Sequence, residues 1–170
     1  MGMRPDWYLE AFVEPNLLDC REAPGDVRRA FNAAVSASSF VDHYFKYQER
    51  HNPEAVASFK SVGELVGHIS DETDGASRDI RSISNVYKHL YNVDSPSYRY
   101  ETVSSCGSIE VLKIEETGPL AEISEDFSVS EGGASRAAVV FTRRDGSRGE
   151  VIPALETVVS YFRDLLYRNA

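Results

Sequence analysis

The sequence predicts a mainly helical α+β protein: an antiparallel helical bundle with a small C-terminal antiparallel β-sheet or hairpin and a closing helix. Apolar residues recur every three or four positions through residues 26–91, alternate in much of residues 96–153, and return to helical spacing in residues 154–170. The chain has 170 residues, of which 42% are hydrophobic, so it can bury a core. We expect one domain over residues 1–170, with residues 1–95 as its helical part.

The longest predicted helix runs from Asp26 to about Arg50. Its apolar stripe has alternating spacings of four and three and consists of Val27, Phe31, Ala34, Ser38, Val41 and Phe45. Asp26 suits an N-cap, and Asn52-Pro53 would end the helix because proline has no backbone donor. A second apolar line on this helix is expected to pack against another element of the chain or to meet a partner. It consists of Phe40, Tyr44 and Tyr47.

Two further helices are predicted, one over about Glu54–Ser70 and one from Ser77 or Asp79 to about Tyr91. The first of them contains Gly63 and Gly67, which are small enough to let a neighbouring helix approach closely. Residues 1–23 contain many aromatic and apolar side chains, so we expect a packed segment, although the pattern does not indicate its secondary structure.

The β part contains two alternating segments, residues 98–105 and residues 107–116. Residues 137–155 predict a strand, a turn at Asp145-Gly146 and a second strand, which is a strong hairpin signal. Helical spacing then predicts the closing helix over Ala154–Arg168.

The third helix carries the candidate site. At 100° per residue, six residues lie within about 60° of Asn85. They are Arg78, Arg81, Ser82, Lys88, His89 and Asn92. Arginine and lysine bind phosphate, and histidine acts as a general acid or base near neutral pH. A solvated helix face with no function is the other interpretation.

Two segments of this helical part resemble the HEPN-like helical proteins found in many bacterial genomes. The first is the long helix of the type AFNAAVSASSFVDHYFKY, and the second is the Asn-x-x-Lys-His motif at Asn85–His89. The resemblance covers roughly residues 26–92. The usual family signature is an arginine four to six residues from a histidine, whereas here seven residues separate Arg81 from His89. Many members are metal-independent endoribonucleases of toxin, antiphage or RNA-processing systems, whose protomers pair to form a composite site.

The resemblance therefore implies a possible RNA-binding protein or endoribonuclease of a bacterial defence or toxin-antitoxin system, without a metal or other cofactor. His89 would remove the 2′-hydroxyl proton and Arg81 would stabilise charge on the phosphate, while the substrate-binding residues would be Arg78, Asn85 and Lys88. It also implies a homodimer, and the aromatic line at Phe40, Tyr44 and Tyr47 offers a pairing surface. The alternative is a non-catalytic protein of the same fold, whose helix face and acidic segment bind a protein partner.

Other groups of residues have weaker functional interpretations. Glu64, His68 and Asp71, followed by Glu72, have spacings on one helix that can hold a metal, but such residues more often lie on a surface. His43 and His51 have no visible second ligand. The sequence also leaves open a nucleophile pair of Cys106 with any of the four histidines. Three arginines flank the hairpin turn and would touch RNA or only aid solubility: Arg143, Arg144 and Arg148. Gly132-Gly133 lacks the context of a phosphate loop.

The net charge of −9 argues against indiscriminate coating of nucleic acid. Much of it comes from residues 110–131, where seven acidic residues accompany a single lysine, Lys113. This acidic segment would shield a phosphate site or recruit a basic partner. No apolar run approaches the roughly 20 residues of a membrane span, and the start lacks a signal peptide. With two widely spaced cysteines, Cys20 and Cys106, we expect free thiols and a cytoplasmic protein without membrane contact.

Overall fold

A computed structural model describes residues 3–89, 102–115 and 135–168. This part of the chain is mainly helical, with a small three-stranded antiparallel sheet and a helix after it, so the predicted fold class is confirmed. The helices are α1 (Pro5–Tyr8), a π-helical turn (Leu9–Val13), α2 (Glu14–Glu22), α3 (Val27–His51), a 3₁₀ turn (Pro53–Val56), α4 (Val62–Glu72), α5 (Ala76–His89), a second 3₁₀ turn (Cys106–Ser108) and α6 (Val151–Arg168). The strands are β1 (Ile109–Glu115), β2 (Ser135–Thr142) and β3 (Arg148–Glu150).

The long helix α3 lies where the sequence predicts it. The Asp26 carboxylate caps its first turn by accepting hydrogen bonds from the backbone N–H groups of Arg28 (2.9 Å) and Arg29 (3.2 Å). The second apolar line packs within the chain: Phe40 and Tyr44 are buried, and the Phe40 ring stacks on Phe162 of α6 at 4.3 Å. The expectation that this line pairs two protomers is therefore wrong, because these two side chains are already covered.

The predicted helix over Glu54–Ser70 is wrong in its first half. A 3₁₀ turn and an irregular stretch precede α4, which begins only after Ser61. The Ser61 hydroxyl accepts a hydrogen bond from the N–H of Glu64 (3.3 Å), and the Glu64 carboxylate accepts one from the N–H of Lys60 (2.8 Å). This reciprocal cap resembles a capping box and favours a new helix start at this point.

The two glycines of α4 do not mark a close helix contact. A Cβ at Gly63 would lie 3.6 Å from Ser61 Oγ, and one at Gly67 would lie 4.0 Å from Arg78 Nη2. Both are ordinary contact distances, so the expectation of a close approach at these positions is wrong.

Helix α5 begins at Ala76, directly after Gly75, whose φ of +85° suits a residue without Cβ. The hydroxyl of Thr73 accepts a hydrogen bond from Ser77 N–H at 3.2 Å, so neither Ser77 nor Asp79 opens the helix as predicted. The predicted end at Tyr91 lies outside the described residues.

The predicted hairpin is confirmed. Strand β2 is central, with Val111 of β1 opposite Val139 and Glu150 of β3 opposite Val140. Gly146 has a φ of +86° in the turn, and Asp145 accepts a hydrogen bond from Ser147 N–H at 2.8 Å. These contacts form the turn that Asp145-Gly146 predicts.

The strand predicted over residues 98–105 is not found where the structure can test it. Residues 98–101 lie outside the described ranges, and residues 102–105 are irregular apart from a single bridge at Ser105. The Ser82 hydroxyl accepts from Val103 N–H (2.8 Å) and donates to Val103 C=O (3.0 Å). A side chain of α5 thus satisfies the backbone groups that a neighbouring strand would otherwise pair.

The connector between α2 and α3 covers one edge of β2. Beyond the short strand β3, Val139 N–H donates to the carbonyl of Pro24 at 3.0 Å. A Cβ on Gly25 would lie 2.8 Å from the Cβ of Ala137, so this approach requires glycine.

The core lies between the helices and the sheet. Helix α6 starts at Val151, three residues before the predicted Ala154, because Pro153 is tolerated in the first turn of a helix. It contacts α2, α3 and α5 and buries five apolar side chains: Val151, Leu155, Val158, Val159 and Phe162. The N-terminal segment is helical from Pro5 to Glu22 and also reaches the core, through Leu9, Val13, Leu17 and Cys20.

Candidate functional site

The two arginines of the predicted face are held by acidic side chains of the same chain. Arg81 Nη1 lies 3.3 Å from Asp42 Oδ2 of α3, and Arg78 Nη2 lies 3.8 Å from Asp71 Oδ1 of α4. Both arginines are half-buried, so packing between α5 and its neighbours limits their exposure. None of the residues on the predicted face of α5 is acidic, and both of these acids come from other helices.

The remaining predicted residues divide between core and surface. Ser82 is completely buried and bonded to Val103, so it cannot contact a ligand. Asn85 is half-buried, whereas Lys88 and His89 are exposed. Asn92 lies outside the described residues. The exposed part of the predicted face is therefore its C-terminal end.

Arg81 and His89 do not converge within one chain. They are eight positions apart on a continuous helix, which at 1.5 Å per residue separates them by about 12 Å along the axis. A general base and a cationic donor must each lie about 3 Å from the reacting groups of one phosphate. For both residues to reach the same phosphodiester, Arg81 would have to leave Asp42 and extend along α5 towards His89.

Arg143 of the hairpin is a structural residue. Its Nε lies 3.0 Å from both carboxylate oxygens of Asp79, and its Nη2 lies 2.6 Å from Oδ2. Asp79 is only 2% exposed, and the guanidinium also lies over the Phe141 ring, 4.9 Å from its centroid. Hydrogen bonding to Asp79 raises the pKa of Arg143 above its usual range. This pair ties the hairpin to α5 and leaves Arg143 unavailable for RNA.

Tyr87 is a surface residue, although its helical spacing from Ile80 and Ile83 predicts a place on the apolar stripe of α5. It is 47% exposed, and its ring stacks on Phe31 of α3 with 4.6 Å between centroids and 17° between planes. Phe31 therefore supports one face of the ring while much of the side chain stays open to solvent. The signal that could have identified it is its position directly before Lys88 and His89, at the edge of the stripe.

The residues of the alternative metal site do not come together in the structure. Glu64 bonds to Lys60, and the His68 ring lies 5.3 Å from the Phe59 ring. Across residues 3–89, 102–115 and 135–168, no three His, Cys, Asp or Glu side chains group closely enough to hold a metal ion.

Both cysteines are free thiols, as predicted. Burial raises the pKa of Cys20 to about 11, which keeps it protonated at neutral pH. The Cys106 thiol donates to the carbonyl of Val86 at 3.0 Å, and no hydrogen bond joins it to a histidine of the described chain. Neither cysteine has the paired geometry of a nucleophile.

The structure describes some of the remaining groups that the sequence singled out, namely two hairpin arginines and His43. Arg148 pairs with Glu110 at 3.4 Å, and Arg144 is exposed. His43 Nε2 lies 2.5 Å from the carbonyl oxygen of Met3. Gly132-Gly133 and most of the acidic segment lie outside the described residues.

Comparison with models of protein families gives no match, and neither the curated proteins nor the solved structures include a chain of significant similarity. Among the described helices, none is both long enough and apolar enough to cross a bilayer.

Proposed function

We propose that this protein is an HEPN-like RNA-binding protein that holds single-stranded RNA without cleaving it. The observation that carries the proposal is the exposed Tyr87 ring, stacked on Phe31 of α3. Two exposed basic residues follow on α5, Lys88 about 100° and His89 about 160° around the helix from Tyr87, so an RNA strand would reach them by passing around the helix. Aromatic rings on a protein surface stack with unpaired bases, and nearby cations bind the phosphates between them. We call Phe31, Tyr87, Lys88 and His89 the stacking site.

The charge around the stacking site supports a weak interaction with phosphate. Lys88 and His89 form no ion pair with a described residue, so their donors are available. Arg81 can join them if it leaves Asp42, since a partly exposed ion pair contributes about 1 kcal/mol or less. Few cations and a chain of net charge −9 favour low affinity.

The proposal leaves out catalysis because Arg81 is paired with Asp42 and lies eight positions before His89 on α5. The composite site of the resembling family would require a second copy to bring its own Arg81 beside His89. The aromatic line expected to pair two copies is largely buried, because Phe40 and Tyr44 are covered within the chain.

The test measures binding of a fluorescein-labelled 12-nucleotide oligouridine by anisotropy, in EDTA. Tyr87→Ala should weaken binding by about 5- to 150-fold, since stacking contributes about 1–3 kcal/mol per base. Tyr87→Phe keeps the ring and should bind as the wild type does. Tyr167→Ala removes a more exposed tyrosine, on α6, and serves as the matched control.

Equal binding by the wild type and Tyr87→Ala would contradict the proposal. The RNA should also remain intact after prolonged incubation. Cleavage that disappears in His89→Ala would show instead that the protein is a metal-independent nuclease.

A further inference from the structure

A second surface lies at the far end of α3, about 24 Å along the helix from Phe31. The N-terminal helical segment, the end of α3 and the end of α6 enclose a cleft of about 670 Å³. A neighbouring hollow of about 690 Å³ shares five of its lining residues. We call the two together the terminal cleft, and the shared residues are Arg4, Asp6, Glu10, Tyr47 and His51.

Aromatic side chains line the terminal cleft. Trp7 is 50% exposed, and Tyr167, at the end of α6, is even more open to solvent. The Tyr47 and His51 rings are tilted by 34° to each other, with 4.3 Å between their centroids. Exposed rings of tryptophan and tyrosine attract cations through their π faces, particularly the flat guanidinium group.

The charges of the cleft leave one carboxylate without a partner. Arg4 pairs with Asp6 through hydrogen bonds of 2.5 and 3.1 Å, and Arg163 pairs with Glu14 at 2.6 Å. Glu10 forms no hydrogen bond or ion pair with any residue of the described chain. The lining therefore has an excess of negative charge, which complements a cation.

The backbone beside the cleft has an unusual conformation. Leu9–Val13 form a π turn, in which Glu14 N–H donates to Leu9 C=O. Such turns are rare and occur often at functional sites, because the additional residue redirects the side chains around it. Here Leu9 is buried in the core, while Glu10 is exposed in the cleft.

The cleft already stabilises one guanidinium of this chain. The pKa of Arg4 is raised, chiefly by its hydrogen bond to Asp6, with smaller attractive contributions from Tyr47 and Glu10. Arg4 lines the cleft and is bonded to Asp6, which leaves the Glu10 carboxylate and the exposed rings to accept a second guanidinium.

We propose that the terminal cleft binds an arginine-bearing segment of a basic protein partner. The partner guanidinium binds Glu10 and stacks on the exposed Trp7 ring, while its apolar neighbours contact the aliphatic lining at Met3 and Leu166. This function is independent of the stacking site, since the two surfaces share no residue.

The experiment uses Trp7, which is the only tryptophan of the chain, as a reporter inside the cleft. The probe is a tryptophan-free octapeptide of alternating arginine and leucine, titrated at 150 mM salt while Trp7 emission is recorded. The control is the same peptide with citrulline, a neutral isostere, in place of each arginine. We expect a saturable change in emission with the arginine peptide and none with the citrulline peptide.

Two glutamate variants separate a specific site from the general attraction of an acidic protein. Glu10→Gln should weaken binding by at least about tenfold, because it removes a charge-assisted hydrogen bond. Glu54→Gln removes the same charge from an exposed position outside the cleft and should bind as the wild type does.

Equal responses to the two peptides, equal affinity of Glu10→Gln and wild type, or no change in Trp7 emission would each overturn the proposal. A change in Trp7 emission that follows protein concentration alone would place a second copy of the chain in the cleft, which also overturns it.

Discussion

Two arginines of one hairpin, Arg143 and Arg148, show how far the environment of a side chain determines its role. Arg143 reaches the carboxylate of Asp79, which is almost completely buried, with three contacts of 3.0 Å or less. Arg148 pairs with the exposed Glu110 at 3.4 Å. The sequence places both in one basic cluster, since it does not show which acid each one meets.

Removing Arg143 should destabilise the protein strongly. Arg143→Ala leaves the Asp79 carboxylate buried without its partner, at a cost of about 3–5 kcal/mol in the free energy of unfolding. Urea denaturation followed by circular dichroism measures this difference. Arg148→Ala is the matched control, and its loss should stay below about 1 kcal/mol because the pair is exposed. Similar losses in the two variants would show that the buried pair stabilises the protein no more than the exposed pair does.

Residue roles were the least predictable part of the candidate site. The helical period placed Arg78, Arg81, Lys88 and His89 on one face of α5, but the two arginines are half-buried whereas Lys88 and His89 are exposed. It could not show that Asp42 and Asp71 reach that face, because those contacts depend on tertiary packing. Periodicity alone predicts that Tyr87 is buried with Ile80 and Ile83, whereas it is exposed at the edge of the buried stripe, beside Val86.

At the scale of secondary structure, two glycines with different surroundings allow a direct comparison. Gly67 lies within α4, and a Cβ there would find its nearest neighbour 4.0 Å away. Gly149 lies in β3, and a Cβ there would come within 2.5 Å of the Phe141 ring, which is completely buried. The first glycine is replaceable and the second is required by packing.

Alanine at these two positions should therefore have opposite effects. Gly67→Ala should raise the free energy of unfolding by about 0.5–1 kcal/mol, because alanine loses less backbone entropy in a helix. Gly149→Ala should lower it by about 1–3 kcal/mol, since the ring has no room to move. Thermal unfolding of both variants tests this, and stabilisation by Gly149→Ala would contradict the packing around Phe141.

Elements defined by local signals were predicted well. Helix α3 has a long apolar period and an aspartate cap, and the hairpin has its Asp145-Gly146 turn. The start of α4 was missed because the apolar spacing continues across the irregular stretch before Ser61. The irregular backbone at Val103 was not predictable, since its partner is a serine 21 residues earlier in the chain.

At the scale of the whole molecule, the net charge bears on how RNA binding depends on salt. The stacking site has two basic residues, Lys88 and His89, with Arg81 nearby, on a chain of net charge −9. Binding that releases about two counterions from single-stranded RNA changes less than about tenfold between 50 and 200 mM salt. The same anisotropy assay measures this slope, and a loss of a thousandfold would indicate a much larger basic surface.

The sheet order has a consequence for the behaviour of the protein at high concentration. Connector residue Pro24 covers one edge of β2, but in the described part of the chain no strand lies beyond β1. An open strand edge invites pairing with a strand of another molecule, and charged side chains discourage it. On β1, Glu110 and Lys113 are exposed on either side of the half-exposed Val111. A second molecule that extended the sheet would have to remove both charges from water, which protects the protein against edge-to-edge aggregation.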